Sequence, residues 1–401
     1  MTNKFLCDFR FLLLAAAVAF IYIQMRLFTT QSKYADRLAN AVEAETRCTS
    51  QMRKLIDQIS MQQSRIVDLE VKGLQRRMNK IQTPVAAVVV MACNRADYLE
   101  RTIKSILKYQ NAVASKFPLF VSQDGSDPQV RKKALSYDQL THMQHLDSKL
   151  VQTERPGELI AYYKIAHDME IAPDFFDYFE AAAALMEKDK TIMAVSSWND
   201  NGQKQFVHDP EILYRSDFFP GLGWMLTKPT WNELSPKWPK AYWDDWLRLQ
   251  ENHKGRQFIR PEVCRTYNFG EHGSSLGQFF RQYLEPIKLN DVQVDWKSKD
   301  LSYLMEDKYI KLFAEILKNA KPINGADAVL KASNVQGDVR VHYEDQPDFE
   351  RIARQFGVFQ EWKDGVPRTA YKGVVVFRYP PPRRVFLVGP KSFELLGIKS
   401  V

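Results

Sequence analysis

Three segments hold the residues of this chain best suited to chemistry. They are Ser-Ser-Trp-Asn-Asp-Asn-Gly (196–202), Arg-Ser-Asp-Phe-Phe-Pro-Gly-Leu-Gly-Trp (215–224) and Pro-Lys-Trp-Pro-Lys-Ala-Tyr-Trp-Asp-Asp-Trp (236–246). A plain apolar core does not need tryptophans, paired glycines and adjacent carboxylates in one short stretch. A sugar does: the ring covers its apolar face and the carboxylates take its hydroxyls. A sugar hydroxyl is also far too weak an acid to ionise alone. A carboxylate within hydrogen-bond reach can take its proton while a new bond forms at the oxygen. The competing reading of Asp244-Asp245 is a solvated acidic pair.

Such residues need a scaffold, and the preceding segment supplies one. Pro-Val-Ala-Ala-Val-Val-Val-Met-Ala (84–92) reads as a buried parallel strand, and Cys-Asn-Arg-Ala-Asp-Tyr-Leu (93–99) opens a helix. Phe-Pro-Leu-Phe-Val-Ser-Gln-Asp-Gly-Ser (117–126) is a second strand ending in a polar turn. Two strand ends with polar residues, joined by a helical crossover, describe an open α/β sheet that binds its ligand at the carboxyl edge. Neither Gly-x-Gly-x-x-Gly nor Gly-x-x-x-x-Gly-Lys follows the first strand, which argues against dinucleotide enzymes and P-loop NTPases. Taken singly, Arg95 reads as a helix-start arginine and Asp124 as a turn aspartate. Glu-His-Gly-Ser-Ser-Leu-Gly (271–277) has the glycine content of a mobile loop.

Together these motifs resemble the N-acetylglucosaminyltransferase I family, from about Val85 to the C-terminus. The resemblance implies a GT-A type nucleotide-sugar-binding sheet with a smaller mixed C-terminal domain. It implies an inverting transfer of GlcNAc from UDP-GlcNAc, in β1,2 linkage, to the α1,3-arm mannose of a high-mannose N-glycan, with Mn2+ as cofactor. Residue by residue, Arg95 and Asp124 would meet the donor, and Leu222 and Trp243 would contact the GlcNAc. Ser275 would contact phosphate as the loop orders over the donor. Asp244 would be the general base. Adjacent residues on a helix do not share a face, so Asp245 is expected to be structural.

The resemblance breaks just before Asp168. Gly-Glu-Leu-Ile-Ala-Tyr-Tyr-Lys-Ile-Ala (157–166) matches the start of a family helix, and Asp-Met-Glu-Ile-Ala-Pro-Asp-Phe-Phe (168–176) matches the end of an acidic Glu-Asp-Asp triplet and the residues after it. Only His167 stands between them, so the rest of that helix, a strand and two acidic residues have no counterpart. The last Asp of the triplet, the metal ligand, aligns with Asp168. His167 is either the family's nucleotide-contacting histidine or a product of the junction. A central strand buries about five apolar side chains at about 1.5–3 kcal/mol each. That is on the order of 10 kcal/mol, comparable to a whole domain's net stability. Its loss is expected to cripple the sheet, and the activity, unless another segment, such as Ala161–Ala166, takes the vacant slot.

The 401-residue chain carries a net charge of +8 that is spread along its length. No long Lys/Arg block appears, which argues against nucleic-acid binding. None of Cys7, Cys48, Cys93 and Cys264 forms a Cys-x-x-Cys pair, so a zinc site is not expected. The sequence leaves the pairing of Cys93 and Cys264 open. Phe11 to Ile23 is an unbroken apolar run after Lys4 and Arg10, extendable to Phe28. No small-x-small cleavage pattern follows it. The run reads as a transmembrane anchor over 11–28, with a cytosolic tail at 1–10 and the bulk in the Golgi lumen. Residues 29–83 read as a helical stem. Its heptad seam, Cys48, Met52, Leu55, Ile59, Gln62, Ile66 and Leu69, fits a single stalk or a coiled-coil homodimer. The catalytic domain is expected over 84–285 and the C-terminal mixed domain over 286–401, with strands at 339–343, 373–379 and 384–388 and a helix at 348–356. Two further readings compete with the active transferase. One is a family member in the Golgi that cannot bind donor productively, favoured by the missing acidic residues. The other, a hydrolase with paired carboxylates, fits poorly beside the donor-site motifs.

Overall fold

The computed structural model describes residues 3–78, 85–110, 112–145, 161–166, 168–239, 242–272, 277, 279–331 and 336–399. The chain divides into two compact units, Met1–Lys80 and Ile81–Val401. The first is one helix, α1 (Asn3–Met78), running through both the expected anchor and the expected stem. Within it a stretch beginning at Phe11 is long and apolar enough to cross a membrane, by length and composition. Its Phe11, Phe20 and Phe28 side chains are exposed. Of the heptad seam, Met52 is exposed; the side chains of Cys48, Leu55, Ile59, Gln62, Ile66 and Leu69 lie outside the described residues.

The second unit is built on an eight-stranded mixed sheet of order β3-β2-β1-β4-β8-β6-β9-β7. β1 (Ala86–Ala92) and β2 (Leu119–Asp124) lie where the apolar runs place them, and β3 (Leu140–His145) extends the parallel edge. Helix α2 (Ala96–Gln110) crosses between β1 and β2 and buries Leu99, Thr102, Ile103 and Ile106, a helical repeat on one face. Helix α3 (Pro128–Leu135) starts at Asp127, whose carboxylate accepts the N–H groups of Gln129 and Val130 at 2.9 Å each. Pro128 fits the first helical turn, where its missing N–H costs nothing.

The segment expected to begin a helix is instead a strand, β4 (Ala161–Ala166). It runs parallel to β1 from Ala86↔Ala161 to Met91↔Ala166 and antiparallel to β8 (Trp224–Thr227) from Ala161↔Thr227 to Lys164↔Trp224. The physical reason is non-local. β1 and β8 each present a row of backbone N–H and C=O groups to the slot between them, and a helix there would leave those groups unpaired. Tyr162, Tyr163 and Ile165 are also good strand formers. The chain thus fills the vacant position with its own residues.

β6 (Ile192–Ser196), β9 (Gln257–Pro261) and β7 (Leu213–Ser216) complete the sheet. Beside it, β5 (Met169–Ile171) pairs antiparallel with β10 (Thr266–Asn268) in a separate ribbon. Helix α4 (Phe175–Lys188) buries Phe175, Phe176, Tyr178 and Phe179. Asp174, just before it, is fully buried and takes Arg265 Nη2 at 3.0 Å, Asn290 Nδ2 and Trp296 Nε1 at 2.8 Å each.

Toward the C-terminus, β11 (Lys321–Pro322), β12 (Val339–His342), β15 (Val374–Arg378) and β16 (Arg384–Val388) form a second sheet of order β11-β12-β16-β15. A hairpin of β13 (Trp362–Lys363) and β14 (Val366–Pro367) lies between them in sequence. The nearby helix spans Gln346–Phe356; it opens under the Asp345 side chain, which accepts the Asp348 N–H at 2.9 Å, and ends at Gly357 with φ 83°. The three long strands and the helix fall within two residues of their expected limits.

Candidate active site

The carboxyl edge of β1 delivers Arg95 at the start of α2. Its Nη2 donates to Asp168 Oδ2 at 3.1 Å, its Nη1 donates to the His272 carbonyl at 2.6 Å, and its guanidinium lies 4.8 Å from the Tyr98 ring centroid. Three places far apart in sequence therefore meet at one arginine. Asp168 is 8% exposed, and Asn268 Nδ2 approaches its Oδ1 at 3.4 Å. The backbone around it is fixed by α2: Thr102 Oγ1 accepts the Met169 N–H at 3.0 Å and Ser105 Oγ accepts that of Ile171 at 2.9 Å. Asp124, at the end of β2, is exposed. Burial, with the charges of Asp124 and Asp127, pushes the Cys93 thiol up. Cys93 is exposed and Cys264 buried, both as free thiols, so no bridge joins them.

The Asp168 carboxylate is closely packed. Gly270 packs its bare α-carbon against the carboxylate, where an added Cβ would fall 2.3 Å from Oδ2. Arg95 now provides the positive partner at that oxygen. Among the described residues no three His, Cys, Asp or Glu side chains converge. A divalent ion here would have Asp168 as its protein ligand, with diphosphate and water completing an oxygen shell suited to a hard cation.

The second half of the site is the Asp-Asp pair on α5 (Trp243–Arg248). Its two carboxylates are not equivalent. Asp245 Oδ1 takes Arg248 Nη1 at 2.6 Å and Lys363 Nζ at 2.5 Å. Burial raises its pKa, but Lys363 and Arg248 outweigh that and hold it below the usual carboxylate range. Asp244 meets Arg248 Nη1 at 3.2 Å, and its side chain is 42% exposed. Trp243 stacks on Trp224 at 5.6 Å and Trp238 at 6.2 Å, with Phe219 edge-on at 6.1 Å. A Cβ on Gly221 would lie 3.5 Å from Trp243 and 3.7 Å from Asp244 Cβ, so the Gly-Leu-Gly turn runs directly beside the base candidate.

The two halves are joined through β10. Thr266 Oγ1 donates to the Leu222 carbonyl at 2.8 Å and lies 2.9 Å from Ser197 Oγ, whose nearest carbonyl is that of Gly223 at 2.7 Å. Gly223 has φ +82°, and a Cβ there would strike Ser197 Oγ at 2.4 Å, so the turn admits only glycine. At the other end of β10, Asn268 pairs with Met169 and touches Asp168. A continuous path thus runs from Asp168 to Leu222, Trp243 and Asp244. Thr266, Asn268 and Arg248 do not stand out in the sequence; only the Tyr-Asn-Phe-Gly turn at 267–270 hints at a polar strand end. Ser275 and His167 lie outside the described residues.

The sequence model of the GNT-I family matches residues 14–83, 72–168 and 166–400. An alpha-1,3-mannosyl-glycoprotein 2-beta-N-acetylglucosaminyltransferase of Arabidopsis thaliana is 66% identical over 438 aligned positions, covering 98% of this chain and 99% of the relative. The chain belongs to the GNT-I family and is a glycosyltransferase. That alignment is longer than the 401-residue chain, so the relative carries residues without a counterpart here. Two of the family matches meet at residues 166–168, the junction noted before Asp168. Among solved structures, a Pyrobaculum calidifontis mannosyltransferase with GDP-Man and Mn2+ is 18% identical, with TM-score 0.31, over 49% of this chain and 63% of that one. S. aureus TarS with UDP-GlcNAc is 13% identical, with TM-score 0.34, over 59% of this chain and 67% of that one.

Proposed function

We propose that this chain is an inverting GT-A type glycosyltransferase that moves GlcNAc from UDP-GlcNAc, in β1,2 linkage, to the α1,3-arm mannose of a high-mannose N-glycan. This is the step that starts complex and hybrid glycans. The observation that carries it is the near-complete, 66% identical match to the Arabidopsis enzyme of that name. Arg95 and Asp124 hold the donor from the carboxyl edge of the sheet, and Leu222 and Trp243 face its GlcNAc. Ser275 belongs to the loop over the phosphates. Asp168, with the donor diphosphate, would hold Mn2+, which would supply charge neutralisation to the departing UDP. Asp244 takes the proton of the acceptor hydroxyl as that oxygen bonds to the anomeric carbon and the bond to UDP breaks on the opposite side. Arg248 fixes the orientation of Asp244, and Asp245 is a structural partner of Arg248 and Lys363.

Residues 1–10 form a cytosolic tail, 11–28 a single Golgi-membrane span and 29–83 a stem that is a stalk or a homodimer seam. Residues 84–285 form the catalytic domain and 286–401 the smaller mixed domain, both lumenal. Protease added to sealed microsomes tests this: digestion of the chain beyond Thr29 would reverse the topology.

A second reading, an impaired family member, is favoured by one observation: β4 is made from residues that the family resemblance assigns to a helix. Mn2+-dependent UDP release on adding a mannose-terminated acceptor separates the two. The chain as given is compared with one carrying the family's segment restored between Ala166 and Asp168. Transfer by both supports the first reading, and transfer by the restored chain alone supports the second.

A further inference from the structure

We propose that Tyr242 is the platform on which the acceptor sugar stacks, setting the reacting hydroxyl over Asp244. The inference rests on the reading of Asp244 as the base and extends it to the acceptor side.

Tyr242 is 79% exposed. Among the described residues of Ile81–Val401 it is the one aromatic in the set of exposed large apolar side chains; the others there are Leu135, Leu249, Val292, Leu312 and Leu395. Its backbone is left-handed, with φ 53° and ψ 42°, at the N-cap of α5. That conformation disfavours a bulky side chain, and glycine or asparagine would adopt it more readily. Its side chain makes no capping hydrogen bond. Its backbone is held: the Trp246 N–H donates to the Tyr242 carbonyl at 3.0 Å. A bulky residue held in a left-handed backbone conformation two positions before the base candidate points to a function for its side chain.

Its neighbours say which function. Trp243 is engaged with Trp224, Trp238 and Phe219, so the next aromatic in the chain is already committed to packing. Tyr242 is two residues from Asp244 and remains open to solvent. A pyranose has an apolar face of C–H groups and a rim of hydroxyls. Stacking that face on a ring beside a carboxylate turns the rim toward the carboxylate. A tyrosine ring does this with few rotatable bonds to immobilise. Tyr242 is therefore a positioning residue: it orders the acceptor and leaves the donor alone.

The test uses the purified full chain in detergent. Binding of a mannose-terminated oligosaccharide and binding of UDP are measured separately by calorimetry. Tyr242→Ala is expected to weaken the oligosaccharide by about tenfold or more and leave UDP within about twofold. Tyr242→Phe and Tyr242→Trp keep near-native affinity, because the ring and not the hydroxyl carries the contact. Tyr242→Gly relieves the backbone, so its melting temperature rises while oligosaccharide binding is lost. Native-like oligosaccharide binding by the Ala or Gly variant overturns the platform and leaves the proposed function standing. A native chain that binds neither UDP nor oligosaccharide overturns both.

Discussion

Asp244 and Asp245 show how two identical side chains acquire different chemistry. Asp245 is held below the usual carboxylate range because Lys363 and Arg248 outweigh the burial that would raise it. A carboxylate so stabilised as the anion is a poor proton acceptor. Asp244 has one longer contact to Arg248 and more solvent, and it sits beside the Gly221 turn and Trp243. In a transfer-competent chain, Asp244→Asn is expected to lower turnover by about 10²–10⁴, the usual worth of a general base, while UDP binding is retained. Asp245→Asn is expected to lower turnover by less than about tenfold, through looser placement of Arg248. Steady-state kinetics with UDP titrations check both. Equal losses from the two substitutions would assign the pair a joint role.

At the scale of elements, β4 decides whether the sheet is whole. It is paired along both edges, so a proline within it removes a ladder hydrogen bond from a central strand and puts a ring against the neighbouring backbone. Ile165→Pro is expected to cost about 3 kcal/mol or more, a large part of the margin on which a domain survives. The readout is loss of the cooperative thermal transition by circular dichroism; an unchanged melt would mean that residues 161–166 do not form the strand. This element also marks the limit of sequence reading. β1 and β2 are legible because unbroken β-branched runs leave little alternative, and the Trp-Asp-Asp-Trp motif marks α5 by composition. Ala161–Ala166 reads as a helix start because its pattern is ambiguous over six residues. Its state is set by edges belonging to strands about 75 residues before it and about 60 to 66 residues after it. Thr266 and Asn268 escape sequence reading for a related reason. They act through a three-residue ribbon, too short to carry a period, whose partner β5 is nearly a hundred residues distant.

At the scale of the whole catalytic unit, Glu262 fastens the large sheet to the C-terminal one. It follows β9 and reaches Arg378 at the end of β15, with Nη2 to Oε2 at 2.8 Å and Nε to Oε1 at 3.0 Å. The N–H groups of His208 and Asp209 and the Tyr214 hydroxyl donate to it at 2.8 Å each. The side chains are 4% and 11% exposed, so this is a buried pair and not a surface ornament. Burial alone would raise the glutamate, but Arg378 and the other donors more than compensate and hold it below its ordinary value. The unfolded chain returns it to about 4.3. A carboxylate depressed on folding contributes stability that is fully present above that unfolded value, and the contribution is lost as pH falls through the lower folded value. The native chain is therefore expected to keep its melting temperature down to about pH 5 and lose it steeply below about 4.3. Glu262→Gln leaves Arg378 buried without its counter-charge, at a cost of about 3–5 kcal/mol at neutral pH. Its stability curve should be lower at pH 7, flatter in acid, and closer to the native curve at pH 3 than at pH 7. Two curves that stay parallel from neutral to acid would show that the Glu262–Arg378 fastening does not carry the acid response.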